Sequence, residues 1–203
     1  MKKALLLLAL ICVGFTSCKS DSKKESKTNE NEKTAAFSLE KAENEINFTA
    51  YKYTEKTPVG GQFRQVKITS GGKGNTIKEA INNTEFSIPI SSLFTKNSSR
   101  DYKIQKFFFG VMSNTKLLSG KLNLDTDTTG TATILMNDVS YKVPFTYTIS
   151  NKTFTMNGTM DVSNWNALDA LASLNKVCEV LHTGTDGISK TWSEVGLNIT
   201  SKF

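Results

Sequence analysis

The sequence predicts an all-β fold of about eight mainly antiparallel strands with two helical inserts, arranged as an up-and-down barrel or a sandwich. Three observations carry this. Val143, Phe145, Tyr147 and Ile149 are apolar at every second position, as are Phe154, Met156, Met160 and Val162, with Thr, Asn, Pro and Asp between them; such alternation marks a half-buried strand. The break between the two runs, Ser150-Asn151-Lys152, is short enough for a hairpin. No strand–helix–strand rhythm occurs, which disfavours a doubly wound nucleotide fold.

From the N-terminus, Lys2 and Lys3 precede the apolar run Ala4–Phe15, which ends in Thr16-Ser17-Cys18. A basic start, a short apolar stretch and small residues before a cut make a secretory signal over residues 1–17. The run is too short to span a bilayer, which takes about 20 apolar residues. Cysteine at this junction resembles a lipobox, with cleavage before Cys18 and acylation of its thiol; two or more acyl chains give stable membrane anchoring. The alternative is an ordinary secretory signal that contains Cys18. Residues 18–42 read as the lipidated Cys18 and a disordered polar tether. Lys19–Thr34 holds no apolar residue and mixes lysine with Asp21, Glu25, Glu30 and Glu32, so it is neither a core-former nor a plain polybasic patch.

The globular domain is expected over 43–203. Its strands are expected at Glu45–Tyr53, Gly60–Thr69, Glu85–Ser91, Leu117–Asp125, Thr131–Asn137, Val143–Ile149, Phe154–Val162 and Ser193–Lys202. The apolar phase slips from Val59, Gly61 and Phe63 to Val66 and Ile68, the mark of a bulge that bends a strand. Arg100–Met112 reads as a short helix capped by Ser98 or Ser99. Asn164–Leu181 is amphipathic, with Trp165, Leu168, Leu171 and Leu174 at spacings of three and four; Asn164 serves as its cap and Gly184 ends it.

The 203-residue chain is 38% hydrophobic and 22% charged, sufficient for one globular domain and too apolar for a wholly disordered chain. The net charge is +6, yet lysines are dispersed along the strands and Arg64 and Arg100 are the only arginines. Arginine makes most guanine-edge contacts, so a nucleic-acid partner is not expected. Gly71-Gly72-Lys73-Gly74 reads as a hairpin turn rather than a phosphate loop, which needs a helix N-terminus behind it; Thr76–Asn82 offers one turn. His182, the only histidine, lies four positions after Cys178. The pair supplies two of the three or four ligands a metal site needs, with Glu179 and Asp186 as further donors. The plain reading is a packed cysteine and a protonated histidine favoured by a helix C-terminus. With Cys18 acylated, Cys178 has no disulfide partner. No Ser/His/Asp arrangement and no acid/base pair stands out, so the expected class is non-enzymatic, without catalytic residues, metal or cofactor. Phe107-Phe108-Phe109 reads either as core packing or as a plug at one barrel mouth, and Met136, Met156 and Met160 as adaptable lining.

Val59-Gly60-Gly61-Gln62-Phe63, then Phe86–Leu93 (FSIPISSL) with Thr95, Arg100-Asp101 with Phe108-Phe109, and Asn137–Pro144 (NDVSYKVP) occur in an order and spacing that resemble the YceI-like family, over roughly Glu45–Phe203. The resemblance implies an eight-stranded antiparallel, lipocalin-like barrel, exported to the bacterial cell envelope, whose elongated apolar lumen binds a polyisoprenoid or similar long-chain lipid. The sequence departs from the family pattern at Lys103, where the family carries histidine, at Asp138, where it carries glycine, and near Asn114, where a proline is absent. The first departure bears on the head-group end of the pocket. The expected function is that of an envelope lipoprotein, anchored through Cys18 on the periplasmic side or cell surface, that carries or sequesters such a lipid by burial alone. The alternative is a structural or interaction lipoprotein with a filled barrel and no ligand. With each alternating set facing inward, the ligand-binding lining is Phe63, Phe86, Ile88, Ile90, Val143, Phe145, Tyr147, Phe154, Met156 and Met160. The sequence leaves the oligomeric state open, a homodimer included.

Overall fold

The structure, a computed structural model, describes residues 35–203; the expected signal peptide, Cys18 and most of the expected tether lie outside the described residues. Among the described residues twelve strands are formed: β1 (Phe37–Ser38), β2 (Glu43–Lys52), β3 (Thr57–Phe63), β4 (Lys67–Ser70), β5 (Lys73–Gly74), β6 (Glu85–Pro89), β7 (Leu93–Phe94), β8 (Leu117–Leu124), β9 (Thr129–Met136), β10 (Val139–Ser150), β11 (Thr153–Asp161) and β12 (Glu194–Lys202). Four α-helical segments accompany them: α1 (Ile77–Ile81), α2 (Ser98–Lys103), α3 (Leu168–Val177) and α4 (Glu179–His182).

Ten strands make one antiparallel sheet in the order β4-β6-β8-β9-β10-β11-β12-β2-β3-β7, and β1 pairs with β5 separately. The two ends of this order are not free edges. β4 continues β3 after Arg64–Val66, and β7 continues β6 after the 3₁₀ turn Ile90–Ser92. Phe63 faces Leu93 on one side of the kink and Lys67 faces Ser87 on the other, with the Arg64 N–H donating to the Ser92 carbonyl at 3.0 Å between them. The two kinked strands pair on both sides of the bend, so the sheet curls round into a barrel. The kink sits at the expected phase slip. Arg64, in the break, stacks its guanidinium 3.2 Å from the Phe94 ring centre.

The β9–β10 and β10–β11 connections are two-residue hairpins. Asn137 and Asp138 have φ of 52° and 57°, and Asn151 and Lys152 have 48° and 61°, the double left-handed geometry that matches strand twist. Asp138 therefore occupies in left-handed conformation the place where the family pattern has glycine.

Several local expectations are corrected. The folded body begins at Phe37 rather than 43: β1 pairs with β5, Leu39 is buried, and the Phe37 and Phe203 rings meet edge to face at 5.6 Å. Phe37 and Leu39 bring apolar area that the preceding polar stretch lacks. Gly71–Gly74 does not turn a hairpin back onto β4. Gly71 and Gly72 take φ of 69° and 77°, and the Gly72 N–H donates to Thr84 Oγ1 at 2.9 Å, docking the loop on α1. Helix α2 is capped by Asn97, whose side chain accepts from the Arg100 N–H, not by Ser98 or Ser99; Ser98 is already helical. It continues as a π turn over Ile104–Phe108 and a 3₁₀ turn over Phe109–Val111. The expected helix Asn164–Leu181 is split. Asp161 caps a 3₁₀ turn Val162–Trp165, left-handed Asn166 (φ 54°) breaks the path, and α3 and α4 follow. The break lets Trp165 bury completely and donate from Nε1 to the Ile134 carbonyl at 2.9 Å.

The connectivity gives the barrel two unlike ends. The turns 125–128 and 151–152, α1 and the β1–β5 pair gather at one, the α1 end. The turn 137–138, the β2–β3 turn, α2, α3 and α4 gather at the other, the α3 end.

Candidate functional site

The barrel encloses an apolar cavity of about 220 Å³. Alternation supplies its wall: Ile46 and Phe48 from β2, Phe86 and Ile88 from β6, Leu118 and Leu122 from β8, Ile134 and Met136 from β9, Phe154, Met156 and Met160 from β11, and Val195, Leu197 and Ile199 from β12. Leu39, Ile81, Thr84 and Ser201 line it at the α1 end, and each is buried to 5% exposure or less. At the α3 end the lining passes to Ile104, Phe108, Phe109, Leu171, Leu174, Thr191 and Trp192. Of these Ile104, Leu171, Thr191 and Trp192 are half-buried, as are Asn44 and Ile68 toward the α1 end and Ile46, Phe86, Leu118 and Ile199 along the strands, whose inward side chains carry lumen surface.

The few polar groups in this wall are turned to one another. Thr84 Oγ1 accepts from the Gly72 N–H and donates to the Ala80 carbonyl at 2.8 Å. Ser201 Oγ donates to Asn44 Oδ1 at 2.6 Å, and Asn44 Nδ2 donates to the Leu39 carbonyl at 2.8 Å. Trp192 Nε1 donates to the Tyr53 carbonyl at 2.7 Å. Thr191 donates to Asn175 Oδ1 at 2.6 Å, and its oxygen receives His182 Nδ1 at 2.7 Å. A guest in the cavity therefore meets hydrocarbon with little competing hydrogen-bond capacity, the arrangement that favours binding through the burial of apolar surface.

Six of the ten residues expected in the lining stand in the cavity wall: Phe63, Phe86, Ile88, Phe154, Met156 and Met160. The other four are buried away from it. Ile90 lies in the 3₁₀ turn at the kink. Val143, Phe145 and Tyr147 of β10 do point inward, but they fill their side of the barrel. Phe145 settles against Gly130, and a Cβ on Gly158 would stand 3.4 Å from the Phe145 Cβ. Tyr147 packs 5.4 Å from the Phe154 ring and donates its hydroxyl to the Thr126 carbonyl at 2.8 Å. Ile46, Phe48, Ile134, Leu197 and Ile199 belong to the wall although the sequence reading did not name them. Their signal is the same alternation, visible at 195, 197 and 199. Of the phenylalanine triplet, Phe108 and Phe109 pack in the core and line the cavity, while Phe107 turns to Tyr102.

His182 and Cys178 sit beside the α3 end. Burial, with Lys52 and Lys103 near, pushes the His182 pKa below its ordinary value of 6.5. The histidine is thus held toward its neutral form, opposite to the protonated form expected from a helix C-terminus. Burial pushes the Cys178 thiol up, the direction of an unreactive thiol. Among the described residues no three His, Cys, Asp or Glu side chains come together as a metal site would require.

The family model of the YceI-like domain matches residues 37–203. The chain belongs to the YceI-like family. A polyisoprenoid binding domain from Saccharophagus degradans, implicated in plant cell wall breakdown, superposes with a TM-score of 0.55 at 10% identity, covering 83% of this chain and 95% of that one. BcnA of Burkholderia cenocepacia superposes with a TM-score of 0.51 at 12% identity, covering 81% and 98%. No curated protein matches the chain. The YceI-like motif residues have a structural part to play here. Thr95 donates from Oγ1 to Asp101 Oδ1 at 2.6 Å and from its N–H at 2.8 Å, while Arg100 donates from Nε to Thr95 Oγ1 and from Nη2 to the Thr95 carbonyl, at 3.0 and 3.2 Å. This clasp fixes α2 to β7, and so aims Ile104, Phe108 and Phe109 at the cavity.

Proposed function

We propose that this YceI-like protein binds a polyisoprenoid or similar long-chain lipid in the barrel, and that it carries or sequesters that lipid in the bacterial cell envelope, anchored through acylated Cys18. The observation that supports the reading is the apolar cavity running from α1 to α3 with its polar groups internally satisfied. The mechanism is burial: each Å² of apolar surface removed from water contributes about 25 cal/mol, and no charged anchor is needed inside the lumen. A cavity of about 150 Å³ holds a benzene molecule, so the 220 Å³ here takes a short hydrocarbon segment as it stands. A longer chain requires wall side chains to move. Met136, Met156 and Met160, unbranched and adaptable, are the ones built to do so.

The test is organic extraction of the protein purified from a bacterial envelope, followed by mass spectrometry. One long-chain apolar lipid per chain is the expected result. Protein recovered folded and lipid-free would favour a barrel that works through its outer surface instead.

A further inference from the structure

All of the large apolar side chains that stand more than half exposed among the described residues lie at one end of the molecule. Tyr102 is on α2, Val111 in the 3₁₀ turn after it, Leu117 at the first position of β8, Leu168 on α3, Val180 and Leu181 on α4, and Ile188 in the loop behind α4; Val180 reaches 90% exposure. This is the α3 end, which the cavity lining reaches at Ile104, Leu171 and Trp192. The opposite end exposes Asp127, Thr128, Asn151 and Lys152 at its turns and no large apolar side chain among those residues. A patch confined to one pole calls for a partner, since monomeric surfaces normally scatter such residues singly.

The basic charge at this pole lies on its α2 side. Residues 95–116 carry Lys96, Arg100, Lys103, Lys106 and Lys116 against one acid, Asp101, and that acid is spent on Thr95; the α3–α4 side is mixed, with Lys176 and Lys190 beside Asp169, Glu179 and Asp186. Lys106 lies 5.3 and 5.4 Å from the Tyr102 and Phe107 ring centres and donates to the Tyr102 hydroxyl at 2.8 Å, an aromatic–lysine pairing suited to a membrane–water boundary. Lys190 lies 5.1 Å from the ring centre of Trp192, which lines the cavity. Lys52 Nζ donates to the Leu181 carbonyl at 3.0 Å, tying the end of β2 to α4.

We propose that the α3 end is a membrane-docking face: Val180, Leu181, Ile188 and Val111 enter the headgroup region of a bilayer containing anionic lipid, and the lysines of residues 96–116 meet its phosphates. This docking goes beyond the lumen reading and stands whether or not the lumen is filled.

The experiment is amide hydrogen exchange on the full chain, resolved by mass spectrometry, with and without vesicles of phosphatidylglycerol or of phosphatidylcholine. The regional readout is independent of acylation at Cys18. Exchange in 102–111 and 179–189 is expected to slow by about threefold or more with phosphatidylglycerol. The slowing is expected to be smaller with phosphatidylcholine and absent in 125–128 and 151–152. The exposed-site variant V180D/L181D/I188D is expected to lose the slowing while its strands stay protected. The proposal is overturned by no slowing, by slowing at the α1 end, by equal slowing with both lipids, or by wild-type behaviour of the triple variant. Slowing that grows with protein concentration in the absence of vesicles would assign the face to a second copy of the chain and would equally overturn it.

Discussion

Met156 and Phe145 separate the lumen from the packed side of the barrel, although both point inward from neighbouring strands. Met156 pairs with Tyr147 and Ile199, is 3% exposed and stands in the cavity wall. Met156→Gln preserves length and volume, so it leaves no packing void, but it places an amide where the wall offers it no partner. A buried, unpaired amide costs about 1–3 kcal/mol in mutational data, which is the expected loss of stability. To the extent that lumen water solvates the amide and spares this stability, an entering lipid strips that water and binding weakens instead, by at most the same 1–3 kcal/mol, about 5- to 150-fold. Phe145→Leu is the control. It opens space against Gly130 and Gly158, outside the cavity wall, and should cost about 1–2 kcal/mol of stability through lost packing with lipid content unchanged. Urea unfolding gives the two stabilities, and extraction with mass spectrometry gives lipid per folded chain. Wild-type lipid content in folded Met156→Gln, or its loss in folded Phe145→Leu, would refute the division of the barrel interior argued above.

Three further outcomes follow from the same geometry. Gly130→Ala should destabilise by about 1–3 kcal/mol, read by urea unfolding, because the added Cβ would stand 2.5 Å from the Asn123 carbonyl oxygen and against the Phe145 ring. The folded His182 pKa lies below its ordinary 6.5, so the folded state takes up fewer protons than the unfolded one. Stability from this site is complete above that value and is lost as pH falls through the folded pKa. The Tm should therefore drop between pH 7.5 and 5.5, and His182→Gln should flatten that slope. Lys152→Gly, at φ 61° in the β10–β11 hairpin, should raise stability by a few tenths of a kcal/mol up to about 1, measured by the same unfolding curves.

Strand content was legible because alternation is strict where one face meets core and the other meets water, as from Val143 to Val162. The slip between Phe63 and Val66 located the kink that lets the sheet curl onto itself, since a period of two makes one extra residue visible. Depth was not legible. Val143, Phe145 and Tyr147 share the inward face with Met156 and Phe154, but Phe145 settles into the space left by Gly130 and Gly158, Val143 lies beside Gly158, and Tyr147 is held by its hydroxyl on the Thr126 carbonyl. Register, not local pattern, brings those glycines opposite. The helical inserts were misread at their ends because Asn97 and Asp161, rather than the serines and Asn164, had the extended backbone a cap needs. The short β1–β5 pair escaped notice because two residues carry no period. The neutral tendency of His182 came from burial beside Lys52 and Lys103, neighbours supplied by β2 and α2.

The most direct measurement is a crystal structure of the protein crystallised with a prenyl-chain lipid. Continuous ligand density from Ile81 and Leu39 past Met156 to Leu171 and Trp192, with Met136, Met156 and Met160 re-oriented around it, is the result expected. Lipid bound only on the outer surface, with the interior closed by the same side chains, would contradict the account.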